Sequence, residues 1–177
     1  DQSRHQGLAE RRTTTSYDVL VGNAPLREAL VPTLVPGLSI LPSDVLLSGA
    51  ELELATDQAR SYRLKRAVDQ YFQALQQQSD GFDYILIDCP PSLNVLTVNA
   101  LTAADSILVP LQCEFFALEG LTQLIRTVER VRGHLNAKLE IQGIVLTMYD
   151  SRNNLSAEVA ADVRAHFGDT VYKTVIP

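Results

Sequence analysis

Apolar residues fall along this 177-residue chain in two rhythms: short unbroken runs, and longer stretches in which they return every three or four positions. The clearest run is Tyr84-Ile85-Leu86-Ile87, set between Asp83 and Asp88. A continuous apolar run of this kind predicts a strand buried on both faces of a parallel sheet, and no ladder continues through Pro90 and Pro91. Gly37 to Pro42, Ser106 to Leu111, Glu140 to Met148 and Tyr172 to Ile176 predict further strands. Helical spacing lies between them. From Tyr62 to Gln77, Leu64, Val68, Tyr71, Phe72 and Leu75 form one stripe that faces a core. Ser92 can cap a helix carrying Leu93, Leu96, Ala100 and Leu101, and another follows with Leu121, Leu124, Ile125, Val128 and Val131 on one face. Asn153 or Asn154 opens a helix that runs through Phe167 and closes at Gly168. Two short helices are predicted at Ser16 to Leu20 and Pro25 to Leu30, with Ser43 or Asp44 capping the next and an amphipathic surface helix over Ser48 to Leu54. The polar opening, Asp1 to Thr15, reads as a loop.

Strands separated by helices rather than hairpins require crossovers, so the expected fold is α/β, a doubly wound, mostly parallel sheet flanked by helices. At this length residues 1–177 make one domain or most of one. In such sheets ligands sit beyond the carboxyl ends of strands, which draws attention to Asp88. Two roles are open to it on pattern alone: capping the helix that begins near Ser92, or holding Mg²⁺ beside nucleotide phosphates as a Walker B acid.

Composition narrows the classes. Hydrophobic content of 46% and charged content of 20% describe an ordinary globular protein. No run approaches the length of a membrane span and the first residues do not form a signal peptide, so the expected location is the cytoplasm. Cys89 and Cys113 have no metal-ligand or redox spacing and read as free thiols, and His5, His134 and His166 are too scattered for a metal cluster. The net charge of −6 argues against a broadly basic nucleic-acid surface. The charge is uneven, however: residues 1–120 carry 8 basic and 15 acidic side chains, and residues 121–177 carry 7 and 6, which puts any DNA-facing patch in the last third.

A longer string changes the picture. Asp88-Cys89-Pro90-Pro91-Ser92-Leu93, followed by Asn99-Ala100-Leu101 and Ala104-Asp105, resembles the Walker B and switch II region of the ParA/Soj partition ATPases, members of the wider ParA/MinD group. Tyr17-Asp18-Val19-Leu20 and Ser48 to Leu54 are similar to further family segments, and the resemblance covers nearly the whole chain. It implies that Asp88 is the catalytic metal residue, holding Mg²⁺ through water, and that Pro90, Pro91 and Ser92 form the second switch. Glu114 and the segment Phe115 to Gly120 resemble a motif near the nucleotide and the dimer face, with core packing as the other reading of Phe115 and Phe116. Thr147 to Leu155 is similar to the segment that carries a DNA-contacting arginine, and Arg152 stands in its place; Ser151 and Asn153 depart from the family's commonest Ala and Thr.

The resemblance further implies ATP and Mg²⁺ as cofactors. The implied partners are a second copy of the chain, DNA bound without sequence preference, and a ParB-type centromere-binding protein, in the cytoplasm on the nucleoid and with no membrane. The chain contains no G-x-x-x-x-G-K-[ST] loop, which in the family precedes the region matched here, and the family's chain runs on beyond a Val-Ile-Pro like that at 175–177. The expectation is therefore an incomplete, P-loop NTPase-like domain, inactive alone and part of a chromosome- or plasmid-segregating ATPase. A MinD-like membrane-associated ATPase and a non-catalytic interaction module that lost its P-loop are the alternatives.

Overall fold

The computed structural model describes residues 13–75, 81–90, 92 and 94–177, and the chain divides into two units, Asp1–Leu86 and Ile87–Pro177.

In the first unit, helix α1 (Ser16–Val21) starts at a capping box in which the Thr15 backbone N–H donates to the Asp18 carboxylate at 3.0 Å, and it stops at Gly22, whose φ of 86° an L side chain would resist. Helix α2 (Leu26–Ala29) follows Pro25 as its N-cap. Strands β1 (Val31–Pro32) and β2 (Ser39–Ile40) make a two-residue antiparallel ladder. Asp44 caps the next turn by accepting from the Leu46 N–H at 2.9 Å, as expected, but the surface helix predicted over 48–54 is broken into 3₁₀ turns around a short α3 (Ala50–Glu53). Helix α4 (Arg63–Leu75) turns Val68 and Tyr71 toward a small core of Val19, Leu26 and Ala29. Phe72, at the margin of the predicted stripe, stays exposed and packs edge-on against Tyr71.

The predicted strand at 84–87 does not form. Its residues have no regular secondary structure and join no ladder, and Tyr84 and Leu86 are 86% and 95% exposed. An apolar run becomes a buried strand only where neighbouring strands offer N–H and C=O partners and the sheet's faces are covered, and the described residues supply neither here.

The second unit is built as the patterning predicts. Helix α5 (Val95–Ala103), strand β3 (Ser106–Gln112), helix α6 (Ala117–His134), strand β4 (Glu140–Thr147), helix α7 (Asn154–Phe167) and strand β5 (Val171–Val175) alternate. The sheet order is β3-β4-β5 with both pairings parallel, so α6 and α7 are the crossovers. Leu111, Leu121, Ile144, Leu146, Val159 and Val163 fill the main core, and Leu101, Val128, Val131 and Leu139 a second. Asn153 caps α7 by accepting from the Leu155 N–H at 3.0 Å, and Gly168 ends it at φ 51°. The α5 cap is Asn94 rather than Ser92: the Asn94 side chain accepts from the Leu96 and Thr97 N–H groups, both at 3.1 Å. A cap must stand immediately before the first helical residue, and that residue is Val95.

Candidate functional site

In a parallel sheet all carboxyl ends lie on one edge, and the second unit carries two of the candidate segments there. β3 and β4 end in register, Gln112 opposite Thr147, and the Cys113 N–H extends the ladder by donating to the Thr147 carbonyl at 3.2 Å. Glu114 follows directly. Its N–H donates to the Gln112 carbonyl at 2.9 Å and its own carbonyl accepts from Ala117 at 3.0 Å, a turn that leads into α6 and leaves the carboxylate exposed. Phe115 and Phe116 do not pack in the core. They are 75% and 71% exposed and meet each other edge to face, with ring centroids 5.1 Å apart. The turn that exposes Glu114 carries them out as well.

β4 leaves the sheet through Met148, whose φ of 51° is a conformation that L side chains adopt at some cost. The Tyr149 N–H then donates to the Ile176 carbonyl at 3.1 Å, and the Asp150 carbonyl accepts from the Asn153 N–H at 3.0 Å, which ties the loop to the cap of α7. Arg152 stands in this loop with its side chain 88% exposed. It is held by Asp150 in a fork, Nε to Oδ1 at 3.0 Å and Nη2 to Oδ2 at 3.1 Å, while the Arg152 backbone N–H also donates to Oδ1 at 2.9 Å. The guanidinium, and then the backbone N–H, hold the Asp150 carboxyl below its ordinary pKa, and the carboxylate in turn raises that of Arg152. Sequence reasoning missed Asp150. The signal was available in its form: an Asp two residues ahead of an Arg, at a loop position where Asx turns form.

Asp88 lies in the unpaired segment, exposed, so no ladder aligns it with Glu114 and Arg152 on the sheet edge. Pro90 and Ser92 are exposed too; the Ser92 carbonyl accepts from the Thr97 hydroxyl, and Pro91 lies outside the described residues. Partial loss of solvent, and then the adjacent Asp88 carboxylate, push the Cys89 thiol above its ordinary pKa, so it stays protonated at neutral pH and is a poor nucleophile. Burial does the same to Cys113, against a smaller opposing pull from Arg164. Among the described residues no cluster of three or more His, Cys, Asp and Glu side chains could hold a metal, and no helix is long and apolar enough to cross a membrane.

Known proteins give this geometry a context. Residues 2–141 match the AAA_31 family, an AAA domain. The chain is 63% identical over 171 residues to the chromosome partitioning protein ParA of Caulobacter vibrioides (strain NA1000 / CB15N), covering 97% of this chain and 62% of that protein. It is 50% identical over 161 residues to the sporulation initiation inhibitor protein Soj of Bacillus subtilis (strain 168), covering 91% and 61%. Among solved structures, cobyrinic acid a,c-diamide synthase from Mycobacterium smegmatis with bound ADP and magnesium matches with a TM-score of 0.81 at 40% identity, over 93% of this chain and 64% of that one. The chain thus spans less than two thirds of each of these proteins.

Proposed function

The chain belongs to the ParA/Soj-type AAA domain family, and from that premise we propose that its 177 residues are part of a single ATPase domain that binds ATP with Mg²⁺, dimerises, binds DNA without sequence preference and segregates a chromosome or plasmid with a ParB-type partner. The observation that carries this reading is the 63% identity to a chromosome partitioning ParA along nearly the whole chain.

The residues fit the group this function requires. Mg²⁺ bound with nucleotide phosphates keeps several waters and takes only one or two carboxylates, so an exposed Asp88 suits it. Asp88 would hold the ion through water, and the ion would supply neutralisation of phosphate charge. Pro90, Pro91 and Ser92 follow Asp88 after Cys89, so their position would report on the γ-phosphate and bias monomer against dimer. Glu114 is assigned beside the nucleotide or at the dimer face; its exposure, with that of Phe115 and Phe116, supports a surface role. Arg152 is assigned to a DNA phosphate, a contact that gives affinity without sequence preference, and its exposure beside the start of α7 supports this. The location that follows is the cytoplasm, on the nucleoid.

The test is retention of the full-length protein on surfaces of mixed-sequence DNA and, separately, on anionic vesicles, with and without ATP and Mg²⁺. Retention on DNA only with ATP, shortened by the ParB-type partner, is the expected result. ATP-dependent retention on vesicles but not on DNA would replace this reading with a MinD-like one, and no ATP dependence on either surface would remove the ATPase reading.

A further inference from the structure

Resting on the assignment of Arg152 to a DNA phosphate, we propose that Asp150 is a positioning residue for DNA binding: its carboxylate fork holds the Arg152 guanidinium with the outer edge turned to solvent for a phosphate.

A guanidinium carries five N–H donors in a rigid plane. Asp150 engages the Nε–H and one Nη2–H, at 3.0 and 3.1 Å. One Nη1–H and the second Nη2–H are left side by side at the outer end of the plane, a paired set of donors that matches a phosphate's oxygens. That edge is open, since the side chain is 88% exposed. Asp150 is itself anchored. Its neighbour Tyr149 donates to the Ile176 carbonyl, its own carbonyl accepts from Asn153, and Asn153 caps α7. The left-handed Met148 fixes where this loop leaves β4. The fork therefore refers a long, mobile side chain to the sheet and the helix.

Two effects of the Asp150 carboxylate oppose each other. Its charge repels a phosphate, which alone would make its removal strengthen binding. Its fork spares Arg152 the ordering that phosphate capture would otherwise demand. At physiological salt the screening length is about 8 Å, so the first is weakened but not abolished; the guanidinium cation stands between the two anions and offsets the remainder, while the second acts at the contact itself. Orientation therefore outweighs repulsion, and removing a negative charge should weaken binding to a polyanion.

The experiment measures affinity of full-length protein, with ATP and Mg²⁺, for a fluorescein-labelled mixed-sequence duplex by anisotropy across a salt series. Asp150→Asn leaves an oxygen to accept from the Arg152 backbone N–H but abolishes the ionic fork. Its expected effect is a loss of about two- to fivefold, the range an exposed ion pair supports, with the salt slope unchanged. Arg152→Ala should lower the slope by about 0.9 as well, since one phosphate contact goes. In an Arg152→Lys background, which keeps the charge and cannot form the fork, Asp150→Asn should cost nothing. Equal or tighter binding by Asp150→Asn, or the same loss in the Arg152→Lys background, would overturn the inference while leaving Arg152 on the phosphate. An Arg152→Ala variant with unchanged affinity and slope would overturn the phosphate assignment itself.

Discussion

Gly143 offers a prediction in which the sign of a substitution depends on one neighbour. It lies in β4 opposite Leu108, where the β3–β4 register shifts. A Cβ added there would stand 2.6 Å from Cε2 and 2.9 Å from Cζ of Tyr172, well inside contact distance. Backbone conformation is no obstacle, because Gly143 is not among the glycines with positive φ. Two terms then compete in Gly143→Ala. Overpacking costs about 1–3 kcal/mol, tempered because Tyr172 is 39% exposed and its ring has solvent to move into. Replacing glycine inside a strand returns roughly 0.5–1 kcal/mol of backbone entropy. The net is a destabilisation of about 1 kcal/mol. With Tyr172→Ala already in place the clash is gone and only the entropic term survives, so the same Gly143→Ala should stabilise by about 0.5–1 kcal/mol. Urea unfolding of the full-length protein, followed by far-UV circular dichroism, reads this as opposite shifts of midpoint in the two backgrounds at constant slope. A shift of the same sign and size in both would show that the ring does not constrain residue 143.

Other perturbations test other parts of the molecule. Asp88→Ala in the full-length protein should abolish Mg²⁺-dependent ATP hydrolysis in a phosphate-release assay, and normal turnover would take Asp88 out of the site. Leu146, with no exposed surface at the centre of the sheet, should cost about 2–5 kcal/mol when truncated to Ala, whereas a change under about 1 kcal/mol in urea unfolding would contradict its burial. Asp57 and Asp150 should both titrate below the ordinary aspartate value of 3.8 when followed by carboxyl NMR. The causes are the Ala59 N–H and then Arg63 for Asp57, and the Arg152 side chain and then its N–H for Asp150. Because both folded-state values are depressed, whatever stability these carboxylates add is present above 3.8 and is lost as pH falls through the lowered values. Titration at or above 3.8 would show the pairs to be absent in solution.

What is legible in the chain follows the range over which each feature is determined. α7 reads cleanly because its cap and its terminating glycine both lie within residues 153–168. The strands β3, β4 and β5 read cleanly because their apolar runs find one another as neighbours through α6 and α7. The cap of α5 falls two residues beyond its expected place because Ser92 and Asn94 both have capping side chains, and only the start of the helix at Val95 decides between them. Phe115 and Phe116 can be read as core from hydrophobicity, and they are exposed because the turn at Glu114 aims them away.

Asp88 and Arg152 separate two kinds of legibility within the candidate site. Arg152 is bound by its own neighbours: Asp150 and Asn153 fix the loop from two residues before it to one residue after, so a local string carries most of its geometry. Asp88 is different. Its string is specific enough to point to a family, yet the segment 84–87 that leads to it has no ladder partner among the described residues, and nothing within the string supplies one. A motif can therefore announce a chemistry while the surrounding chain leaves its residue unplaced. The two should also respond differently to what is added. ATP with Mg²⁺ should change the environment of Asp88 and the segment around it far more than that of the Asp150–Arg152 fork, whose partners lie two residues apart in one loop. Hydrogen exchange of the full-length protein, compared with and without ATP and Mg²⁺, measures this directly. Protection gained at 84–92 with little change at 149–153 is expected, and the reverse pattern would mean that the arginine loop rather than the aspartate segment senses the nucleotide.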